Sequence, residues 1–354
     1  MISLLLSATI SMGVALVATR YVIPWLQAHG IGQPIRMDGP EGHHTKAGTP
    51  TMGGITLVIG AVAGYLVSHI RSETIFTHSG LTVMVLIVGA ACVGLVDDYL
   101  KVSQARNLGL NKKAKLIGLL TVAVVFVVLA TQWASANTTV SFVRFDAPGL
   151  DLGQVGWSIW AVFIILSMSN AVNLTDGLDG LAGGSGAVAF AAFGVIGLTA
   201  FRNPEVYTAV NHGLDLAIVA VAMAGACIGF LWWNAPPARV FMGDTGSLAI
   251  GSGLAGLALM LDTQLLLPII GGLYVLETLS VSLQVAGYKM TGKRLFRMAP
   301  IHHHFELAGW PETTVLIRLW IINGLFVMLA LGIFYADFIN IGGTDPLPAT
   351  VVGG

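Results

Sequence analysis

The run GLTVMVLIVGAACVGLV, residues 80–96, is followed at once by DDYLK at 97–101. This uncharged run approaches the roughly 20 residues that a helix needs to cross about 30 Å of hydrocarbon. Backbone groups in lipid must form their hydrogen bonds within the segment, which predicts a helix and not a strand. The abrupt change to two aspartates and a lysine places the end of the run at the membrane edge. This segment predicts an integral membrane protein.

The composition of the whole chain agrees with that prediction. Only 10% of the 354 residues are charged and 55% are hydrophobic, whereas roughly 25% of residues are charged in an average soluble domain. The net charge of −1 and the lack of a long basic tract predict no nucleic-acid partner. Cys92 and Cys227 lie inside apolar runs, which favours buried small side chains over a disulfide or a metal site.

Ten segments are predicted to be transmembrane helices, so the expected fold is all-α and polytopic, in a single integral membrane domain over 1–354. Their approximate bounds are 3–28, 52–70, 80–98, 116–133, 156–172, 182–201, 214–233, 246–261, 265–287 and 315–336. The first segment lacks the basic region and cleavage site of a signal peptide and is predicted to remain as a span. Pro268 and Gly271-Gly272 predict a kink in the ninth helix, where Glu277 is interpreted as an internally bonded glutamate.

The basic residues divide unevenly between the connections. Odd-numbered connections carry twelve Lys and Arg residues and even-numbered connections carry three, which places the odd connections in the cytoplasm and both termini outside. Five polar motifs lie on the same predicted face. They are HHTKAGTPTMGG (43–54), DDYLK (97–101), NLTDGLDG (173–180), NAPPARVFMGDTGS (234–247) and MAPIHHHFE (298–306). This grouping predicts one functional site at the cytoplasmic surface.

The acidic motifs favour a site for a divalent cation and phosphate. Asp97 and Asp98 end a helix, where the dipole disfavours anions, so a cation is expected to compensate them: Mg²⁺, with Lys101. Asp244 precedes the eighth span and is a candidate Mg²⁺ ligand, although Thr245 and Ser247 could simply cap that helix. The alternative for the aspartate pair is a solvated helix end.

Two further motifs supply candidate contacts. Asn173, Asp176 and Asp179 are three residues apart and would share one ridge if the helix continued, although a polar turn would use the same residue types. Consecutive histidines at 302–304 are poorly spaced for zinc and favour contact with phosphate or nucleotide. Cytoplasmic lysines such as Lys46 also bind anionic headgroups, which is their alternative interpretation.

Together these segments resemble the polyprenyl-phosphate sugar-1-phosphate transferase superfamily. DDYLK, NLTDGLDGLAGG and FMGDTGS match its three acidic motifs, and HHTKAGTPTMGG and MAPIHHHFELAGWPE are similar to the phospho-N-acetylmuramoyl-pentapeptide transferase family. The resemblance covers about residues 30–320, in the right order. It implies an enzyme of the bacterial inner membrane, acting at the cytoplasmic face on UDP-N-acetylmuramoyl-pentapeptide and undecaprenyl phosphate. With Mg²⁺, the products would be lipid I and UMP, in the first membrane step of peptidoglycan synthesis.

The resemblance also implies roles for individual residues. Asp244 would be the metal ligand, and Asp97, Asp98, Asp244 and His302 would be catalytic. The implied substrate-binding residues are Lys46, Lys101, Lys115, Asn173, Asp176, Asp179, Asn234, Phe241, His303 and His304. The chemistry leaves two mechanisms open: Asp98 attacks first and forms an acyl-phosphate enzyme, or Asp97 and Asp98 only orient or deprotonate the incoming lipid phosphate. Direct attack by the lipid phosphate is the favoured hypothesis. A related transferase of N-acetylglucosamine-1-phosphate and a secondary transporter are the alternative functions, and the sequence allows a homodimer.

Overall fold

The computed structural model describes residues 1–32, 48–72, 74–103 and 109–341. These residues are mostly helical. The helices are α1 Ile2–Ala28, α2 Gly54–Ser72, α3 His78–Ser103, α4 Lys112–Gln132, α5 Gly153–Thr175, α6 Leu181–Arg202, α7 Gly213–Asn234, α8 Gly243–Met260, α9 Leu267–Ile270, α10 Gly272–Thr291, α11 Ile301–Leu307 and α12 Glu312–Asn340. Lys46, predicted to bind substrate, lies outside the described residues.

Within the described part of the chain, eight helices are long and apolar enough to cross a membrane: α1 to α7 and α12. The helices α8 and α10 are not among them, for different reasons. Every residue of α8 from Asp244 to Met260 is buried, so protein and not lipid surrounds this helix and its sequence can hold many small and polar residues. The helix α10 carries Glu277, Ser280 and Gln284 among its apolar residues, which lowers its mean hydropathy.

Hydrogen bonds between connections show which connections lie together at each end of the bundle. At one end the first connection meets the seventh, because Gly53 N donates to Phe241 O over 2.9 Å. At the other end the fourth connection meets the eighth, because Leu265 N donates to Ser141 O over 2.9 Å. These contacts agree with the alternation that the hydropathy and the basic residues predict.

The fourth connection contains an element that an all-α prediction omits. Strands β1 Thr139–Arg144 and β2 Ala147–Asp151 form an antiparallel hairpin between α4 and α5. The sequence TVSFVR of β1 is rich in β-branched and aromatic residues, which fit a pleated surface. Arg144 of β1 holds the hairpin against α12 through an ion pair of 2.7 Å between its Nε and Asp337 Oδ2.

The predicted disturbance of the ninth span is present. The short helix α9 ends at Ile270, and α10 begins at Gly272. Glu277 is internally bonded, as interpreted, but its partner belongs to another helix: Glu277 Oε2 lies 3.0 Å from Nδ1 of His302 in α11. The interpretation of Glu277 as part of a kinked helix alone is therefore incomplete.

Two glycines allow α2, α3 and α8 to meet where α8 begins. A Cβ atom on Gly94 of α3 would overlap the carbonyl oxygen of Asp244, and a Cβ atom on Gly54 of α2 would overlap the amide nitrogen of Gly246. Small residues permit such close approach between helix backbones. The approach brings the candidate metal ligand Asp244 against the end of α3.

Candidate active site

Three carboxylates converge at the end of the bundle where the odd-numbered connections lie. Asp97 and Asp98 come from the C-terminal part of α3, and Asp244 comes from the first turn of α8. One oxygen of each lies within 4.8 Å of the others, and all three side chains are buried. Carboxylate oxygens at this spacing are suitable ligands for Mg²⁺. The residues present therefore fit a divalent cation.

Two lysines compensate the carboxylates. Lys101 Nζ lies 2.6 Å from Asp97 Oδ2, 3.6 Å from Asp98 Oδ1 and 3.0 Å from Asp244 Oδ2. Lys115 Nζ, from α4, lies 2.5 Å from the same Asp244 oxygen. The predicted compensation by Lys101 is confirmed, and Lys115 has the same role. Three carboxylates still exceed two ammonium groups by one negative charge.

Asp98 is bound more completely than its neighbour. Its Oδ1 accepts a hydrogen bond from Asp244 N at 3.0 Å, and its Oδ2 accepts from Thr245 N at 3.0 Å and from Thr245 Oγ1 at 2.8 Å. The carboxylate thus caps the N-terminus of α8, where the helix dipole favours an anion. This contact explains why an acidic pair stands at the unfavourable C-terminal end of α3.

Asn173 joins α5 to the same cluster. Its Nδ2 donates to Asp244 Oδ1 at 2.7 Å and to Ser247 Oγ at 2.9 Å. These bonds fix the orientation of the Asp244 carboxylate, because Asp244 Oδ2 is held by the two lysines. Asn173 is therefore a positioning residue for the candidate metal ligand.

The helix α5 ends at Thr175, so the predicted ridge of Asn173, Asp176 and Asp179 does not continue as a helix. Burial, together with the nearby carboxylates of Asp244 and Asp98, raises the pKa of Asp176 to about 8. Asp179 points elsewhere: its Oδ2 accepts from Ala238 N at 3.0 Å. Asp179 thus binds the segment between α7 and α8, and its charge also contributes to the raised pKa of Asp176.

The segment between α7 and α8 is held by side chains of its neighbours. Asn234 Oδ1 accepts from Gly180 N at 3.1 Å, and its Nδ2 donates to Val240 O at 2.9 Å. Both ends of the amide therefore bind backbone. Phe241 N donates to Pro50 O at 2.8 Å, which joins the first connection to the site.

The three histidines of α11 have different surroundings. His302 is fully buried, with Nδ1 on Glu277, and its Nε2 faces Gly177, where a Cβ atom would overlap the ring. His303 Nδ1 lies 2.7 Å from Glu306 Oε2. His304 Nδ1 accepts from the backbone nitrogen of Arg297 at 3.1 Å. His302 is thus directed at the segment that carries Asp176.

Comparisons with known proteins match this chain over nearly its whole length. The family described as Glycosyl transferase family 4 matches residues 80–262. The Phospho-N-acetylmuramoyl-pentapeptide-transferase of Kineococcus radiotolerans is 49% identical, over 96% of this chain and 99% of the relative. The proteins of that name from Frankia casuarinae and Streptomyces avermitilis are 48% and 49% identical, over 96% and 95% of this chain and 99% and 98% of the relatives. This chain belongs to the phospho-N-acetylmuramoyl-pentapeptide-transferase family.

The described parts of the motifs that suggest the phospho-N-acetylmuramoyl-pentapeptide-transferase family meet at one end of the bundle. Two groups of predicted site residues are each close in space. The first group comprises Asp97, Asp98, Lys101, Lys115, Asn173 and Asp244. The second comprises Asp176, Asp179, Asn234, Phe241 and His302, whose segments contact one another. His303 and His304 bind Glu306 and the Arg297 backbone, and their predicted substrate contacts stay predictions.

Glu277 lies beside the candidate site, although its sequence pattern predicts only an internally bonded residue of a kinked helix. It is buried and contacts His302, which was predicted to be catalytic. The signal was present in the sequence, because an ionisable residue in an apolar span is a candidate for function by default. Its partner lies 25 positions away, a separation that no helical periodicity encodes.

Proposed function

We propose that this chain transfers phospho-N-acetylmuramoyl-pentapeptide from its UDP conjugate to undecaprenyl phosphate, giving lipid I and UMP. The observation that carries the proposal is the cluster of buried Asp97, Asp98 and Asp244 with Lys101 and Lys115. The cluster occurs in a chain 47–49% identical to eight transferases named for this substrate. Buried carboxylates and lysines together suit the binding of a cation and the transfer of a phosphoryl group.

We infer ten membrane crossings, with both termini outside and the carboxylates at the cytoplasmic face of the bacterial cell membrane. The helix α8 and the pair α9–α10 would supply the two crossings beyond the eight apolar helices. The excess of basic residues in the odd connections supports this orientation. A site at the helix ends suits a lipid acceptor whose tail stays in the bilayer and a nucleotide that stays in water.

Asp244, with Asp97 and Asp98, would hold Mg²⁺ in this proposal. A bound Mg²⁺ ion would neutralise the pyrophosphate and stabilise the leaving phosphate. Asn173 keeps the Asp244 carboxylate in one orientation. Lys101 and Lys115, whose ammonium groups lie at Asp244 Oδ2 and are partly exposed, are placed to contact phosphate oxygens of the substrates.

The hydrogen bonds of Asp98 favour direct attack by the lipid phosphate. In this step an oxygen of undecaprenyl phosphate forms a bond to the phosphorus that carries the sugar. The bond from that phosphorus to the bridging oxygen breaks, and UMP leaves with the electron pair. Asp98 as a nucleophile would have to give up bonds that cap α8. A covalent phospho-sugar adduct on Asp98, detected by mass spectrometry when lipid is omitted, would contradict direct attack.

The nearest rival is a transferase of N-acetylglucosamine-1-phosphate, and a UMP-release assay separates the two. Protein purified in detergent is incubated with Mg²⁺, undecaprenyl phosphate and one nucleotide sugar at a time. We expect UMP from UDP-N-acetylmuramoyl-pentapeptide and none from UDP-N-acetylglucosamine, with Asp244→Asn as the inactive control. Release from UDP-N-acetylglucosamine alone would overturn the proposal. A secondary transporter is disfavoured because such proteins place their acids near the bilayer midplane, whereas these acids lie at helix ends.

A further inference from the structure

Glu277 and His302 form a buried pair between two helices. Both side chains are 0% exposed, and Glu277 Oε2 lies 3.0 Å from His302 Nδ1. Among the described residues, the remaining polar atoms of the pair, Glu277 Oε1 and His302 Nε2, have no hydrogen-bond partner. Burying polar groups with half of their bonds unmade is unfavourable for folding. A pair that persists at this cost calls for a role beyond packing.

The direction of the His302 Nε2 atom indicates a role in the candidate active site. His302 Nε2 faces Gly177 so closely that a Cβ atom there would overlap the imidazole. Gly177 follows Asp176, which the carboxylates of Asp244 and Asp98 influence electrostatically. The unbonded ring nitrogen is therefore directed at the segment that joins α5 to α6, beside the carboxylate cluster.

The contact is tertiary and not a product of helix geometry. Glu306 and His303 form the comparable pair in α11, but they are three residues apart on one helix, where such pairs form locally. Glu277 reaches His302 from α10 instead. Within α10, Glu277 makes a contact through its backbone, whose carbonyl oxygen accepts a hydrogen bond from Ser280 Oγ at 2.6 Å.

We propose that Glu277 is a positioning residue for His302. The carboxylate accepts a hydrogen bond from Nδ1–H of the imidazole, which fixes the ring orientation and the tautomer and keeps Nε2 against the Gly177 segment beside the carboxylate cluster. The expected effect on turnover rests on the proposed transferase function, whereas the orientation of the ring does not.

Two replacements of Glu277 separate orientation from packing. Methionine has a similar volume and removes the acceptor, and glutamine keeps an acceptor oxygen without the charge. We expect Glu277→Met to lower kcat for UMP release by about ten- to hundredfold, the usual effect of losing a group that orients a functional histidine. Glu277→Gln should fall between this variant and the parent. The KM for the nucleotide substrate should change by less than about threefold, because the loss affects the reacting geometry.

A double-mutant cycle and nuclear magnetic resonance give the readouts that packing alone would not change. In a His302→Gln background, Glu277→Met should cause at most about a twofold further loss, because coupled residues are not additive. In ¹⁵N-histidine-labelled protein, the His302 signals, identified by their absence from His302→Gln, should show a protonated Nδ1 in the parent. Glu277→Met should lose that fixed tautomer. Ser280→Ala, on the same helix, is the control that should change neither activity nor the His302 signals.

Unchanged His302 signals in Glu277→Met would overturn the proposal. It would also be overturned if Glu277→Met lowered activity in the His302→Gln background by the same factor as in the parent. If Glu277→Met does not fold, Glu277→Leu, which also removes the acceptor, and its spectrum provide the same decision. Failure of the parent protein to release UMP would instead refute the transferase function. The spectrum would still decide whether Glu277 orients His302.

Discussion

Replacing Lys115 by methionine should tighten the binding of a divalent cation to the substrate-free protein. Lys115 Nζ and Lys101 Nζ lie 2.5 Å and 3.0 Å from Asp244 Oδ2, the oxygen best placed to bind a metal ion. A cation at this oxygen must displace or repel two ammonium groups. Methionine keeps the length of the lysine side chain and removes its charge.

The expected gain in the free energy of cation binding lies between two limits. Two unit charges about 4 Å apart interact by about 4 kcal/mol at an effective dielectric constant of about 20. Water can solvate the displaced ammonium group, because the Lys115 side chain is 19% exposed, and measured ion pairs at exposed positions contribute about 1 kcal/mol or less. An intermediate gain of about 1.4 to 3 kcal/mol corresponds to about a ten- to hundredfold lower dissociation constant.

Titration with Mn²⁺, followed by electron paramagnetic resonance of the free ion, measures this constant without any turnover. Lys113→Met is the matched control, because Lys113 is an exposed residue of the same helix and its loss changes the net charge equally. Asp244→Asn should abolish tight binding and so identify the site. Equal or weaker Mn²⁺ binding in Lys115→Met would refute competition at Asp244. An equal gain in Lys113→Met would attribute the effect to overall charge.

Three further outcomes can be measured. Asp98→Asn should lower UMP release by more than about a hundredfold. It should also lower the thermal midpoint in detergent, because the Asp98 carboxylate caps α8. Asp146→Asn, in the exposed hairpin turn, is the control and should change neither UMP release nor the thermal midpoint. Gly94→Ala should destabilise the protein by at least about 1–3 kcal/mol, seen as a lower thermal midpoint, because its Cβ atom would overlap Asp244. Burial raises the pKa of Asp176 from 3.8 to about 8, so its contribution to stability is complete below pH 3.8 and is lost as pH rises through about 8. The thermal midpoint of the metal-free parent should therefore fall relative to that of Asp176→Asn between about pH 4 and pH 8, and a constant difference would contradict the raised pKa.

Hydropathy predicts ten spans, and eight described helices are long and apolar enough to be such spans, but hydropathy does not predict the helix ends. The third span was predicted to end at residue 98, whereas α3 continues to Ser103. The apolar run stops at Asp97, but the helix does not, because Lys101 forms an ion pair with Asp97 one turn away. Asp98 also gains hydrogen bonds from α8. Charge marks the edge of an apolar run, and contacts made after folding set the end of the helix.

The residue types of the site are more predictable from the sequence than the hydrogen bonds that join its elements. Residue types and their common face indicated that the acidic motifs would meet, and the structure brings Asp97, Asp98 and Asp244 together. The cap from Asp98 to the start of α8 and the bond from Glu277 to His302 join elements far apart in the chain. Local patterns contain no information on such pairs, because their geometry depends on how whole helices pack.

The net charge of the site should affect both the affinity for a divalent cation and the rate of UMP release. Three carboxylates and two ammonium groups leave one negative charge in a site of low dielectric constant, which repels the anionic phosphates of both substrates. A divalent cation bound at Asp244 would reverse that sign and would free Lys101 and Lys115 from Asp244 to contact phosphate. Lys115→Met should therefore bind Mn²⁺ more tightly and yet release UMP more slowly than the parent. A lysine that only stabilises the fold would not move the two measurements in opposite directions.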